Sequence, residues 1–160
     1  MRLALYIAHG HEADLSVVLR IARQRRCRTY LPIIAHYRTH RMEFVRLREG
    51  QPLRANRFGI PEPRRSMRDR ASPQQLDLIL LPLVAVDAHG WRLGSGAGYY
   101  DRRLAHLKSD RRWRRPHLIG VCYEFQRVAA LDHAPWDVPV DAVLTERALH
   151  RIDRALQEEP

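Results

Sequence analysis

The sequence predicts an α/β fold: a three-layer αβα domain built around a largely parallel, mixed sheet. Three observations predict this architecture. Short apolar runs of strand length alternate with helical patterns along most of the chain. The first elements follow the order strand, helix, strand within about 30 residues, which is the βαβ unit that joins parallel strands by a right-handed crossover. A chain of 160 residues is also long enough to bury a sizeable core as one domain.

The N-terminal half supplies the βαβ unit. Residues 3–8 form a short apolar run that is typical of a buried strand. A helix follows, which Asp14 or Ser16 could cap, and its basic end at 23–26 suits the negative end of the helix dipole. The remaining elements of this half are a strand at 29–34, a half-exposed strand at 42–47 and a long loop at 51–71, where prolines and glycines are frequent.

The C-terminal half begins with the strongest core strand of the chain. Residues 76–83 are almost entirely apolar, and a turn follows at 88–90. A glycine-rich loop at 94–98 then leads into a helix at 99–107. The remaining elements are a basic linker at 111–115, a strand at 117–123, a strand at 138–144 and a closing helix at 146–156.

The charge of the chain leaves several classes of partner open. There are 28 Lys and Arg residues against 18 Asp and Glu, for a formal net charge of +10. A basic surface attracts nucleic acid, anionic membranes or small polyanions such as ATP. The absence of helix-turn-helix, RRM or zinc-finger patterns counts against nucleic acid. The longest apolar stretch, 78–86, is far shorter than the roughly 20 residues that span a bilayer, and the chain enters a strand without a signal peptide. We therefore expect a cytoplasmic protein with no nucleic-acid or membrane partner.

Three alternating glycines form the most informative motif in the chain. Gly94, Gly96 and Gly98 lie between a predicted strand and a predicted helix, and Asp101 follows in the first helical turn. Glycine lets a backbone approach a ligand closely, and successive free N–H groups attract a phosphate. Asp101 could hold a Mg²⁺ that bridges phosphate oxygens. The motif is neither a GxxxxGK(S/T) loop nor a dinucleotide GxGxxG, so a tight turn with an ordinary helix-start aspartate is an equal alternative.

A family resemblance favours the phosphate loop over the tight turn. The segment LGSGAGYYD at 93–101 resembles the nucleotide loop of the 5-formyltetrahydrofolate cyclo-ligases, also called 5,10-methenyltetrahydrofolate synthetases. Four other segments resemble family motifs in the right order, and the likeness covers roughly residues 3–147. They are NRFGIPEP at 56–63, DLILLPLVAVD at 77–87, GVCYEFQ at 120–126 and PWDVPVD at 135–141.

The resemblance implies an ATP- and Mg²⁺-dependent ligase of folate one-carbon metabolism. In this reaction ATP phosphorylates the formyl oxygen of 5-formyltetrahydrofolate, the N10 nitrogen attacks the activated carbon, and phosphate leaves to give the 5,10-methenyl product. The substrate itself provides the nucleophile, so no catalytic protein nucleophile is expected. The sequence agrees, because it contains no GxSxG elbow and no convincing Cys/His pair.

The resemblance also assigns roles to individual residues. ATP and phosphate binding falls to Arg92, Leu93, Gly94, Ser95, Gly96, Ala97, Gly98, Tyr99 and Tyr100. Metal binding falls to Asp101 and Asp137. Substrate binding falls to Glu12, Phe58, Gly96, Gly98, Tyr99 and Tyr100. Tyr123 and Trp136 are further candidate walls, Arg57 and Arg92 could meet phosphate or glutamate carboxylates, and Asp141 has a strand-start role as its alternative.

The match departs from the family at the N-terminus. Members usually carry an Arg/Lys-rich helix before the first strand, which helps to grip the ATP phosphates, whereas only Arg2 precedes the strand here. We therefore expect residues 1–160 to form a single, monomeric cyclo-ligase-like domain without that helix. A relative that binds folate or nucleotide without catalysis remains the alternative.

Overall fold

Continuous apolar runs at the centre and half-buried strands at the margins form one mixed sheet of eight strands among the described residues. The computed structural model describes residues 1–109 and 116–153. The strands are β1 (Arg2–Ala4), β2 (Arg28–His36), β3 (Arg41–Leu47), β4 (Leu53–Ala55), β5 (Pro61–Pro63), β6 (Arg70–Ala71), β7 (Leu78–Pro82), β8 (Ala85–Val86), β9 (Arg92–Leu93), β10 (His117–Val121), β11 (Ala142–Leu144) and β12 (Leu149–Arg151). The α-helices are α1 (Ser16–Gln24), α2 (Tyr99–Leu104) and α3 (His106–Ser109).

The centre of the sheet is parallel and its margins are antiparallel. The strand order is β12-β11-β10-β7-β1-β2-β3-β6. β1 is parallel to both of its neighbours, β2 and β7, and the parallel ladder continues through β10 to β11. β3, β6 and β12 pair antiparallel at the margins. Two small hairpins, β4–β5 and β8–β9, lie outside this sheet.

Helices cover both faces of the sheet, which confirms the α/β prediction with its three layers. Leu80 of β7 belongs to the buried cluster that includes Leu15 and Ala22 from the α1 region. Ile79, the residue before it, belongs to the cluster that includes Leu104 of α2. This alternation follows from the two-residue side-chain period of a strand.

Two elements differ from the sequence prediction. Residues 51–71 are not one loop, because they contain the β4–β5 hairpin and the short strand β6. The closing helix at 146–156 is wrong within the described residues. β12 lies there instead and pairs with β11, with Leu149 opposite Leu144. A strand at this position supplies hydrogen-bond partners to an edge that would otherwise be unpaired, and this tertiary gain overrides the helical pattern of the sequence.

Other predicted boundaries moved by a few residues. β1 and β11 are shorter than expected, and the helix expected at 99–107 divides at Ala105 into α2 and α3. The basic linker at 111–115 lies outside the described residues, as do positions 154–156 of the expected closing helix. None of the helices in the described ranges has the length and apolar composition needed to cross a membrane.

Candidate active site

A cavity of about 450 Å³ lies at the carboxyl ends of the central parallel strands. Tyr6 and Ile7 follow β1 into its wall, and Leu83 and Val84 follow β7. From β1 the chain crosses to β2, its neighbour on one side in the sheet, and β7 is its neighbour on the other side. Such a reversal of strand order opens a crevice where ligands bind in α/β sheets. The volume is that of an ordinary small-molecule site.

The glycine loop forms one side of this cavity. Gly94, Ser95, Ala97 and Gly98 line it, and the loop is exposed or half-exposed rather than packed into the core. Gly98 precedes α2 with a φ of 62°, and Gly96 has a φ of 93°, so both occupy backbone conformations that favour glycine. Gly96 and Leu93 belong to the same loop segment but do not line the cavity.

An ion pair links the two ends of the glycine loop. The Nη2 atom of Arg92 lies 2.7 Å from Oδ1 of Asp101, and the Arg92 side chain is only 4% exposed. Arg92 also donates a hydrogen bond to the Val138 carbonyl, while the Val138 N–H donates to Asp101 Oδ1 at 3.3 Å. Both charged residues line the cavity. The pair therefore holds the loop closed at its base and places a carboxylate at the cavity wall.

Asp137 lies beside this arrangement rather than in it. It precedes Val138, which contacts both members of the ion pair, but it does not line the cavity. Its Oδ2 accepts a hydrogen bond of 2.8 Å from the Ala134 N–H. Among the residues described, no group of three or more His, Cys, Asp or Glu side chains converges on one point. Asp101 is thus the metal candidate at the cavity wall, and the assignment of Asp137 stays a prediction.

Glu12 lies in a turn between β1 and α1 and lines the cavity. Its Oε2 accepts a hydrogen bond of 2.9 Å from the His9 N–H. Burial raises the pKa of Glu12, and the His9 N–H opposes this shift only in part. Tyr6 supports the turn from below, because its hydroxyl donates to the Ala13 carbonyl at 2.9 Å.

Burial also raises the pKa values of the Tyr6 and Tyr100 hydroxyls, and the charge of Glu12 adds to both shifts. These two phenols therefore remain protonated at neutral pH and can donate hydrogen bonds. Tyr99 and Tyr100 both line the cavity, and the Tyr99 ring lies 5.3 Å from that of His40.

The β4–β5 hairpin supplies the outer wall, including Phe58, which is 45% exposed. Asn56 and Glu62 of this hairpin also line the cavity, and our assignment of site residues missed them. Glu62 Oε1 accepts hydrogen bonds from Asn56 Nδ2 at 2.8 Å and from the Ile34 N–H of β2 at 3.0 Å. The FGIPEP-like motif contains Glu62, so the signal was present, but nothing in the sequence showed that the hairpin folds back onto β2.

Four further candidates do not line the cavity. Tyr123 and Trp136 do not line it, and Trp136 is 69% exposed. Asp141 Oδ2 accepts a hydrogen bond of 2.7 Å from the Leu118 N–H of β10, which matches its strand-start alternative. Arg57 is a neighbour of the cavity wall, with its guanidinium carbon 4.7 Å from the Phe58 ring centroid.

Comparisons with known proteins place the chain in a family. The model of the family described as "5-formyltetrahydrofolate cyclo-ligase family" matches residues 1–146. The 5-formyltetrahydrofolate cyclo-ligase of Haemophilus influenzae is 32% identical over 144 residues, which cover 89% of this chain and 74% of that protein. The Escherichia coli K12 protein of the same name is 31% identical over 145 residues, covering 89% of this chain and 76% of that protein.

Solved structures show the same likeness. The NMR structure of Aquifex aeolicus 5,10-methenyltetrahydrofolate synthetase superposes with a TM-score of 0.75 at 32% identity. That match covers 94% of this chain and 71% of the other. The 5,10-methenyltetrahydrofolate synthetase of Mycoplasma pneumoniae superposes with a TM-score of 0.63 at 26% identity, covering 89% and 71%.

Proposed function

The chain belongs to the 5-formyltetrahydrofolate cyclo-ligase family and is an enzyme of folate one-carbon metabolism, and on that premise we propose that it uses ATP and Mg²⁺ to convert 5-formyltetrahydrofolate into 5,10-methenyltetrahydrofolate, with release of ADP and phosphate. One observation carries the proposal. A single cavity is lined by the glycine loop, by Glu12 and by Phe58, so a phosphate cradle and a wall for a flat heteroaromatic ring meet in one place.

The loop and its ion pair support the phosphoryl-transfer half of the reaction. The formyl oxygen attacks the terminal phosphorus of ATP, the bond to ADP breaks, and the backbone amides of 94–98 stabilise the charge on the phosphoryl oxygens. Arg92 is buried and paired with Asp101, so it orients that carboxylate and fixes the loop. Positioning and charge neutralisation suffice in this scheme, because the substrate itself would provide both nucleophiles.

The other walls support the folate half. A carboxylate at Glu12 suits the N–H donors of a pterin ring, and protonated Tyr100 can donate a hydrogen bond to a substrate oxygen. Phe58 offers a ring face to the aromatic parts of the substrate. These contacts would hold N10 beside the activated formyl carbon, where its attack expels phosphate and closes the five-membered ring.

The carboxylates present fit a magnesium ion held mainly by substrate. Mg²⁺ usually binds through one or two carboxylates together with phosphate oxygens and water, rather than in an all-protein cage. Asp101 provides such a carboxylate at the cavity wall, and the family likeness adds Asp137. When bound, the ion would neutralise phosphate charge. Oδ1 of Asp101 already accepts from Arg92, so we expect the carboxylate to offer its other oxygen.

Turnover of 5-formyltetrahydrofolate tests the proposal directly. Purified protein, ATP and Mg²⁺ should produce the absorbance of the methenyl product, and omission of either ATP or Mg²⁺ should abolish it. Asp101→Asn should lower kcat on the order of a hundredfold. Asp132→Asn is the matched control, because Asp132 is exposed and lies outside the cavity lining. No product at high protein concentration, with ligands still raising the melting temperature, would instead favour the non-catalytic alternative.

We also propose that the enzyme acts as a monomer in the cytoplasm on a small-molecule substrate, without nucleic-acid or membrane partners. Sedimentation of the purified protein tests the first point. Because the net charge is +10, the proposed absence of a nucleic-acid partner needs a direct binding test. Tight DNA or RNA binding with a steep salt dependence would contradict it.

A further inference from the structure

An exposed arginine is held in a fixed orientation at the outer wall of the cavity. The Arg57 guanidinium carbon lies 4.0 Å from the Tyr37 ring centroid and 4.7 Å from that of Phe58. The two rings themselves meet edge to face at 5.9 Å. Phe58 lines the cavity and Arg57 does not, so the arginine lies just outside it. Stacking of this kind leaves the N–H groups at the rim of the guanidinium plane for a planar partner such as a carboxylate.

The backbone that carries Arg57 is braced on both sides. Asn56 Oδ1 accepts hydrogen bonds from the Phe58 N–H at 2.8 Å and the Ile60 N–H at 3.1 Å. Glu62 ties Asn56 to strand β2 through the hydrogen bonds described above. The Arg57 N–H itself lies 3.4 Å from the Tyr37 hydroxyl oxygen. The arginine is thus pre-organised, which lowers the entropy lost when a ligand orders it.

The charge of Arg57 meets two aromatic rings rather than a carboxylate in the part of the chain that the structure describes. Where the chain is described, Arg57 forms no ion pair with a carboxylate, whereas Arg41, Arg65 and Arg70 all surround Glu43. Nearby Glu62 already accepts two hydrogen bonds on Oε1. A fixed, exposed cation beside a cavity that is otherwise mostly apolar favours an anionic group at the end of a largely apolar ligand.

We infer that Arg57 binds a carboxylate of the glutamate tail of the folate substrate, and so sets the preference of the enzyme for substrates that carry this tail. The inference rests on the proposed function. Ligand pockets bury roughly 70–90% of a ligand, so one end of a long substrate stays at the mouth. With the pterin near Glu12 and the aminobenzoyl ring against Phe58, the emerging end is the glutamate, whose carboxylates meet Arg57.

The test removes the charge from either partner in turn. Initial rates are measured with 5-formyltetrahydrofolate and with 5-formyltetrahydropteroate, which lacks the glutamate, for the wild type, Arg57→Met and Arg57→Lys. We expect the wild type to show about a fivefold lower KM for the glutamate-bearing substrate, because an exposed ion pair contributes up to about that factor. Arg57→Met should abolish the difference with kcat unchanged, and Arg57→Lys should restore part of it. Arg54→Met, on the same hairpin and outside the cavity lining, should behave as wild type.

The outcomes separate this inference from the proposed function. Turnover with equal KM ratios in the wild type and Arg57→Met would overturn the role of Arg57 and leave the enzyme assignment intact. If neither substrate is turned over, the proposed function fails. Equilibrium binding of the two compounds, followed by tyrosine and tryptophan fluorescence, then still decides whether Arg57 discriminates the tail. A melting temperature for each variant shows that it is folded.

Discussion

Removal of either side chain of the Arg92–Asp101 ion pair should lower the free energy of unfolding, and the two losses should be unequal. The Arg92 side chain is 4% exposed and that of Asp101 is 24% exposed. Asp101→Ala leaves a buried guanidinium whose remaining partner is the Val138 carbonyl, so it should cost about 3 kcal/mol of unfolding free energy, near the low end for breaking a buried pair. Arg92→Met leaves a carboxylate that can regain water and keeps the Val138 N–H, so it should cost about 2 kcal/mol.

A double-mutant cycle by urea denaturation measures both costs and their coupling. The double variant should cost at least 1 kcal/mol less than the sum of the single costs, because each single change already removes the 2.7 Å contact. The single variants should keep the wild-type slope against urea concentration, so that midpoints report stability alone. Additive effects within about 0.5 kcal/mol, or a larger cost for Arg92→Met than for Asp101→Ala, would refute the argument from burial.

Three further predictions concern other parts of the chain. Burial raises the pKa of Glu12 above its ordinary value of 4.5, so the carboxylate should become protonated, and folate binding should weaken, at a pH that is still above 4.5. Glu12→Gln should remove this loss of affinity at low pH in a fluorescence titration. Burial would raise the pKa of Glu43, but the surrounding arginines outweigh it and leave the pKa lowered. Glu43→Gln should therefore cost about 1–3 kcal/mol at pH 7, and urea melts should show the difference shrinking as pH falls below 4.5 through the folded-state pKa. Gly96→Ala, at a φ of 93°, should cost about 1 kcal/mol, whereas Gly94→Ala meets no atom within 4 Å at an ordinary φ and should cost less in the same melts.

The parts of the site that sequence could predict are those whose chemistry is local. Alternating glycines followed by Asp101 make a phosphate loop and a tight turn equal alternatives, because backbone freedom and a nearby carboxylate are properties of a short segment, and the family resemblance favoured the phosphate loop. The structure brings that loop to the cavity together with Glu12 and Phe58. The Arg92–Asp101 pair was not predicted as a pair, since its members lie nine positions apart, in β9 and α2, and only the folded glycine loop between these elements brings them to 2.7 Å.

The features that the sequence analysis predicted wrongly or overlooked depend on contacts between segments that are far apart in the chain. Residues 146–156 carry a helical pattern, yet 149–151 form a strand that pairs with β11. The hydrogen bonds to the edge of β11 stabilise this strand more than helix propensity would stabilise a short helix. Glu62 was overlooked for a related reason. Its role depends on the Ile34 N–H, 28 positions earlier in the chain, and no periodicity in the sequence marks that contact.

The position of β1 explains how residues so far apart in sequence meet in one cavity. β1 is parallel to both neighbours, so the segments that leave β1 and β7 emerge at the same edge of the sheet, where β2 also ends. The sheet beneath must then be packed closely enough to hold those segments still. At Gly120 of β10, an added Cβ would lie 2.5 Å from Cδ2 of Leu83, a residue of the cavity wall. Glycine there lets Leu83 fill the space above β10, so a position outside the cavity lining still shapes the cavity wall.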